Sequence, residues 1–184
     1  MSLPVGHSLA GIGLLLLFKK GLEIKTDRKL LALGVFLSIL PDFDFFFVQV
    51  LGWSRELFHR TYTHSFFFAA LAGFIIAIAQ HRAFCRQCVE RGILYSLIIA
   101  VHDIMDYFST SIHTKGVMLL WPFSHYLYKC PYPLLPNMHW GEGITLPQQL
   151  SDFLTVTTVE MAILVPSVLF ILLLRQKKSP LLKV

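Results

Sequence analysis

HRTYTHSFFFAALAGFIIAIA, residues 59–79, sets a polar block directly against an apolar run. The apolar part approaches the roughly 20 residues that cross a bilayer as a helix. The polar part gathers His59, Arg60, Thr61, Thr63, His64 and Ser65 at that helix's mouth. Ionisable groups at a membrane edge are costly to desolvate, so they are functional candidates by default. The block predicts both a membrane helix and a site at its end.

Working outward, the whole chain carries the same signature. Its 184 residues are 55% hydrophobic and its mean hydropathy is +0.62, far above a soluble domain of this size. The reading is an all-α, polytopic transmembrane helical bundle, a single domain over residues 1–184. The net charge of +5 does not imply nucleic acid, because the cations lie between apolar runs and mark topology. Three cysteines occur. Cys85 and Cys88 form a CxxC with no second pair at zinc-ribbon spacing, and Cys130 is distant, so they read as ordinary thiols.

Five crossings are predicted, over residues 7–18, 30–51, 62–79, 92–108 and 152–174. Lys19, Lys20, Lys25, Arg28 and Lys29 form one basic loop, and His81, Arg82, Arg86 and Arg91 a second. Arg175, Lys177, Lys178 and Lys183 lie in a basic tail over residues 175–184. The positive-inside rule makes all three cytoplasmic, so the N-terminus faces out and the C-terminus in. No basic region precedes the first apolar run, so a signal peptide is not expected. Residues 109–151 become one long outer loop, rich in proline and in aromatic rings such as Trp121, Tyr126, Tyr128, Tyr132 and Trp140. Such rings favour the headgroup layer.

That threading brings His7, Asp42, Asp44, His59, His64, His102 and Asp106 to the outer ends of four helices. Pro41 interrupts the second crossing and favours unwinding at PDFD. Carboxylates two residues apart lie about 200° apart on a regular helix, so only an unwound PDFD lets them converge. His102 and Asp106, spaced i and i+4, share one helix face and can hold one ion. Asp103, rotated by about 100°, is expected to orient a histidine. His59 is expected on the turn before its helix and His64 in the first turns, since within one helix they would diverge by about 140°. Arg60 suits gripping a phosphate or carboxylate. Imidazole with carboxylate favours one or two Zn2+ ions, with Mn2+ or iron as alternatives. A bound ion would lower the pKa of a water to about 7 and make hydrolysis the natural chemistry. Taken singly, a histidine or aspartate in an apolar helix is as readily a hydrogen-bonded packing group. His113, His125 and His139 read as solvated loop residues, and Glu160 as helix glue or a proton-handling group.

The blocks GHSLAG (6–11), LPDFD (40–44), HRTYTHS (59–65), HDIMDYFS (102–109) and KGVMLLWPFS (115–124) resemble predicted membrane-bound, metal-dependent hydrolases. These include the LexA-regulated inner-membrane type of bacteria. The resemblance implies an inner-membrane location and a metal site on His7, Asp42, Asp44, His59, His64, His102 and Asp106. GHS stands where that pattern has a threonine before the histidine. The HxxxD block is similar to that of soluble zinc-dependent phospholipases C, which leans toward a lipid or other membrane-proximal ester or phosphoester substrate. Three other classes stand beside the hydrolase. A metal-ion or proton-coupled transporter would place its site near the midplane. A lipid phosphatase would also end a motif in HxxxD, but its lysine–arginine–proline and serine–glycine–histidine blocks are absent. A structural metal would have closed four-ligand coordination.

Overall fold

The computed structural model describes residues 3–18, 28–52, 54–81, 86–138 and 144–177. Among them every regular element is a helix: α1 (Pro4–Phe18), α2 (Arg28–Ile39), α3 (Asp44–Leu51), α4 (Arg55–Phe58), α5 (Phe66–His81), α6 (Arg86–Phe108) and α7 (Leu146–Lys177). A 3-10 turn, Leu40–Phe43, joins α2 to α3. By length and composition two stretches can cross a membrane, Arg28–Val48 and Leu146–Arg175, while Pro4–Phe18 and Phe66–Gln80 are shorter apolar helices. Lys19, Lys20, Lys25, Arg82, Cys85, His139, Trp140, Lys178 and Lys183 lie outside the described residues.

Several boundaries differ from the sequence expectation, among them the start of α6 at Arg86, ahead of the expected residue 92, so that Arg86 and Arg91 lie on the helix. The break expected in the second crossing is present as the 3-10 turn, because Pro41 has no N–H to continue the α2 ladder. His64 stands in the turn before α5, not in its first turns, since Ser65 caps that helix by accepting the Phe68 N–H at 3.1 Å. The last helix starts at Leu146, ahead of the expected residue 152. There the Gln148 side chain supplies the returning half of a capping box, its amide oxygen accepting from both the Thr145 N–H and the Thr145 hydroxyl at 2.9 Å.

Small residues let the helices approach closely, as they must where no hydrophobic force draws helices together in lipid. A Cβ on Gly73 would overlap Ser96, which joins α5 to α6 as an antiparallel pair. Tyr95 donates to Gln80 at 2.9 Å further along the same seam. α1 and α2 also run antiparallel, through Gly11 against Ser38 and Gly34 against Leu15. Leu15, Leu16, Leu37, Ala69, Ala77, Tyr95, Ile98 and Ile99 form the buried core between these helices. α7 lies parallel to α1, with Glu160 beside Leu3 and Arg175 beside Leu16. Consequently the starts of α1 and α5 and the ends of α2 and α6 meet at one pole. Arg28, Lys29, Arg86, Arg91 and Arg175 occupy the other.

A candidate metal centre

The chemistry gathers where α2 stops. The last carbonyls of a helix have no intrahelical donor, and that of Ser38 accepts the Nδ1–H of His102 at 2.8 Å. Because a carbonyl can only accept, the proton is on Nδ1, and Nε2 carries the lone pair. A metal-binding histidine is typically oriented in this way through its other ring nitrogen. His64 is held similarly. Its Nδ1 lies 3.1 Å from the Thr63 hydroxyl and 3.3 Å from Asp44 Oδ2, while the Thr63 hydroxyl donates to that same oxygen at 3.0 Å. The Asp44 Oδ1 atom takes the Nδ1 of His59 at 2.9 Å.

The Nε2 atoms of His64 and His102 then face each other at 3.2 Å. Asp42 Oδ1 stands 3.5 Å from each of them. Asp106 closes the set, with Oδ2 3.8 Å from His64 Nε2 and Oδ1 3.7 Å from His7 Nε2. Four donors at zinc–nitrogen bond lengths around a tetrahedral ion stand about 3.3 Å apart. The observed spacings of 3.2–3.8 Å are close to that edge, and those to the carboxylates, at 3.5–3.8 Å, are too long for good hydrogen bonds. Both ring nitrogens of His7 and the Oδ1 of Asp42 are buried without a hydrogen-bond partner. Buried polar atoms are seldom left unpaired, and a cation is one thing that satisfies them. Two groups, His7–His102–Asp106 and Asp42–His59–His64, have donor atoms close enough to hold a metal ion.

Electrostatics favour positive charge at this place. His64 sits in the turn outside the helices, where burial alone would lower its proton affinity. The Asp42 and Asp44 carboxylates outweigh burial and raise its pKa to about 10. Burial lowers that of His59, with the Asp44 bond acting against it.

All seven residues expected at the site are therefore at one pole, but they differ in what they touch. Asp44 engages the Nδ1 atoms of two histidines with both oxygens, which makes it an orienting group. Arg60, expected to face a substrate, is turned inward: Nε donates to Asp106 Oδ2 at 3.1 Å, Nη1 to the Lys115 carbonyl at 3.0 Å and Nη2 to the Ser109 hydroxyl at 3.2 Å. Asp103 makes no hydrogen bond to a histidine; both its oxygens are buried and unpartnered. His113 and His125 are exposed on the loop between α6 and α7. Ser109 and Lys115 have no role in the sequence reading, and Thr63 enters it only as one hydroxyl of the polar block. Ser38 contributes only a backbone carbonyl, which no residue type could signal. Lys115 Nζ donates to the His59 carbonyl at 2.6 Å and ties the loop to the turn.

An all-helical bundle with a buried histidine–aspartate cluster at one pole, able to hold a metal ion, defines a class of membrane protein. Residues 1–178 match the family described as YdjM inner membrane protein, and the chain belongs to that family. Inner membrane protein YbcI of Escherichia coli strain K12 is 27% identical over 108 residues, which is 58% of this chain and 61% of that protein. The chain thus matches about three fifths of that relative's length. No solved structure matches. These descriptions name the membrane and leave the chemistry to the site.

Proposed function

We propose that the protein is a five-span metal-dependent hydrolase of the inner membrane, with its site and N-terminus on the non-cytoplasmic side and its C-terminus in the cytoplasm. Its substrate is a lipid or membrane-proximal molecule cleaved at an ester or phosphoester bond. The observation that carries this reading is the convergence of buried imidazole and carboxylate atoms of His64, His102, Asp42, Asp106 and His7 at the spacing of ligands around one ion, with the His7 ring nitrogens and Asp42 Oδ1 left without a hydrogen-bond partner. The cations at the opposite pole support the orientation.

The donor set suits zinc, with manganese as second choice. When bound, such an ion supplies Lewis acidity and a water with a pKa of about 7. The chain's own residues do the rest. Ser38 and Asp44 hold His102 and His64 with Nε2 toward the ion, and Arg60 holds Asp106. Asp42, with a side chain 15% exposed beside fully buried neighbours, marks the side from which substrate and water arrive. Asp103, buried beside His102 in the chain with both oxygens free of hydrogen bonds, is the carboxyl assigned to carry a proton.

Elemental analysis of the detergent-purified protein tests the reading, beside His64→Ala and His102→Ala. Zinc or manganese near one or two per chain, lost in both variants, is expected, followed by turnover of a phosphoester or lipid ester. No metal above the variants' background after reconstitution overturns it. Metal loading should also release protons, because below a pKa of about 10 the ion displaces one from His64. Apparent affinity should therefore rise with pH, by about tenfold per unit for each proton released. Competition against a chelator at acid, neutral and mildly alkaline pH checks this, and a flat profile contradicts it.

A further inference from the structure

His102 and His64 are each held by a hydrogen bond at Nδ1, but His7 is not. Both its ring nitrogens lack a hydrogen-bond partner; its ring stacks on His102 with centroids 3.7 Å apart, and its Nε2 stays 3.7 Å from Asp106 Oδ1. Its place in the cluster therefore depends on where α1 is held along its axis. At 15 residues α1 is about 22 Å long, shorter than a hydrocarbon core of about 30 Å, so lipid alone does not fix that position.

α7 supplies the missing constraint at both ends. The Glu160 carboxylate, 1% exposed, accepts the Leu3 N–H at 3.0 Å at the start of α1. Pro4 follows with no N–H of its own, so Leu3 is the first donor to be satisfied. The His7 N–H in turn donates to the Leu3 carbonyl at 3.2 Å, which places the imidazole one turn from the anchored residue. Val156, one turn before Glu160, packs with Leu3 and Met138. Gly6 leaves the room that the carboxylate fills, since a Cβ there would overlap it. At the far end the Arg175 Nη1 donates to the Leu16 carbonyl at 2.8 Å. Anion at the N-terminus and cation at the C-terminus both oppose the α1 dipole favourably.

We propose that Glu160 is a positioning residue for His7: with Arg175 it clamps α1 to α7 and sets the axial register that brings the His7 imidazole to the metal cluster. The role rests on the metal-site reading above, whereas the clamp itself does not. Co2+ titration, followed by visible absorption, tests the role in wild type, Glu160→Leu, Glu160→Gln, His7→Ala and Gly6→Ala. Glu160→Leu is expected to weaken binding about 10–100-fold and to alter the spectrum as His7→Ala does. Combined with His7→Ala it should add no further loss, because both act through one ligand. Glu160→Gln keeps an oxygen for the Leu3 N–H and should stay close to wild type. Should Glu160→Leu fail to insert, Gly6→Ala displaces the same carboxylate and carries the same expectation. Wild-type binding in Glu160→Leu, or losses that simply add, overturns the role.

A wild type that takes up no Co2+ instead overturns the metal reading and with it the role assigned to Glu160. The clamp is then judged by backbone hydrogen exchange. Protection of the first turn of α1 should fall in Glu160→Leu and persist in Glu160→Gln. Unchanged protection in Glu160→Leu removes the clamp.

Discussion

Arg60→Ala should destabilise the protein by about 3–5 kcal/mol, because it strands a buried carboxylate without its cation. Asp106 and Arg60 are both buried, and the guanidinium spreads its three bonds over Asp106, Ser109 and the Lys115 carbonyl. Arg60 also holds a positive φ of 63°, uncommon outside glycine, so the turn is strained and needs those bonds to persist. Its own carbonyl accepts the Met118 N–H at 3.0 Å, which fastens the histidine-bearing turn to the loop that follows α6. For a chain of this length the loss corresponds to a Tm lower by roughly 6–20 °C. Arg60→Lys should recover only part, since one ammonium cannot reproduce a planar fork aimed at three acceptors. Thermal unfolding in detergent measures it. A Tm equal to wild type together with lost turnover would return Arg60 to the substrate-gripping role that the sequence suggested.

What was legible in the sequence was whatever a short stretch determines. Apolar runs and interspersed cations gave the helices and their alternation, and that alternation is what brings His7, Asp42, His64, His102 and Asp106 to one pole. Pro41 announced the break at PDFD, and the structure has a 3-10 turn there. The HxxxD spacing put His102 and Asp106 on one face of α6. Other features depend on partners distant in the chain. Whether Arg60 faces a ligand or Asp106 is decided by α6 and by the Lys115 carbonyl, which lie 46 and 55 residues away. Glu160 read as mid-span glue or a proton-handling group because Leu3, whose N–H it accepts, is 157 residues distant. The early start of α7 was written in Thr145 and Gln148, but an aromatic, proline-rich neighbourhood disguised the capping box.

The two carboxylates of PDFD are chemically alike and should behave differently. Asp42→Asn is expected to bring metal content down to background, whereas Asp44→Asn should keep full stoichiometry at saturating metal with affinity reduced about 10–100-fold. The difference lies in what each oxygen already does. Asp42 Oδ1 has no hydrogen-bond partner and stands 3.5 Å from the Nε2 of both His64 and His102, so a neutral amide there removes a ligand. Both Asp44 oxygens are taken, one by His59 and the other by Thr63 and His64. An amide at 44 keeps the oxygen that can accept one ring N–H. It loses the charge that makes the imidazoles better donors to an ion, and its NH2 cannot accept the second. Equilibrium dialysis across a range of zinc concentrations separates the two outcomes. If Asp44→Asn is also metal-free at saturation, Asp44 is itself a ligand and the tautomers assigned to His59 and His64 must be reversed. If Asp42→Asn retains metal, the convergence of His64 and His102 on Asp42 is packing, and the ion has to lie in the His7–His102–Asp106 group alone.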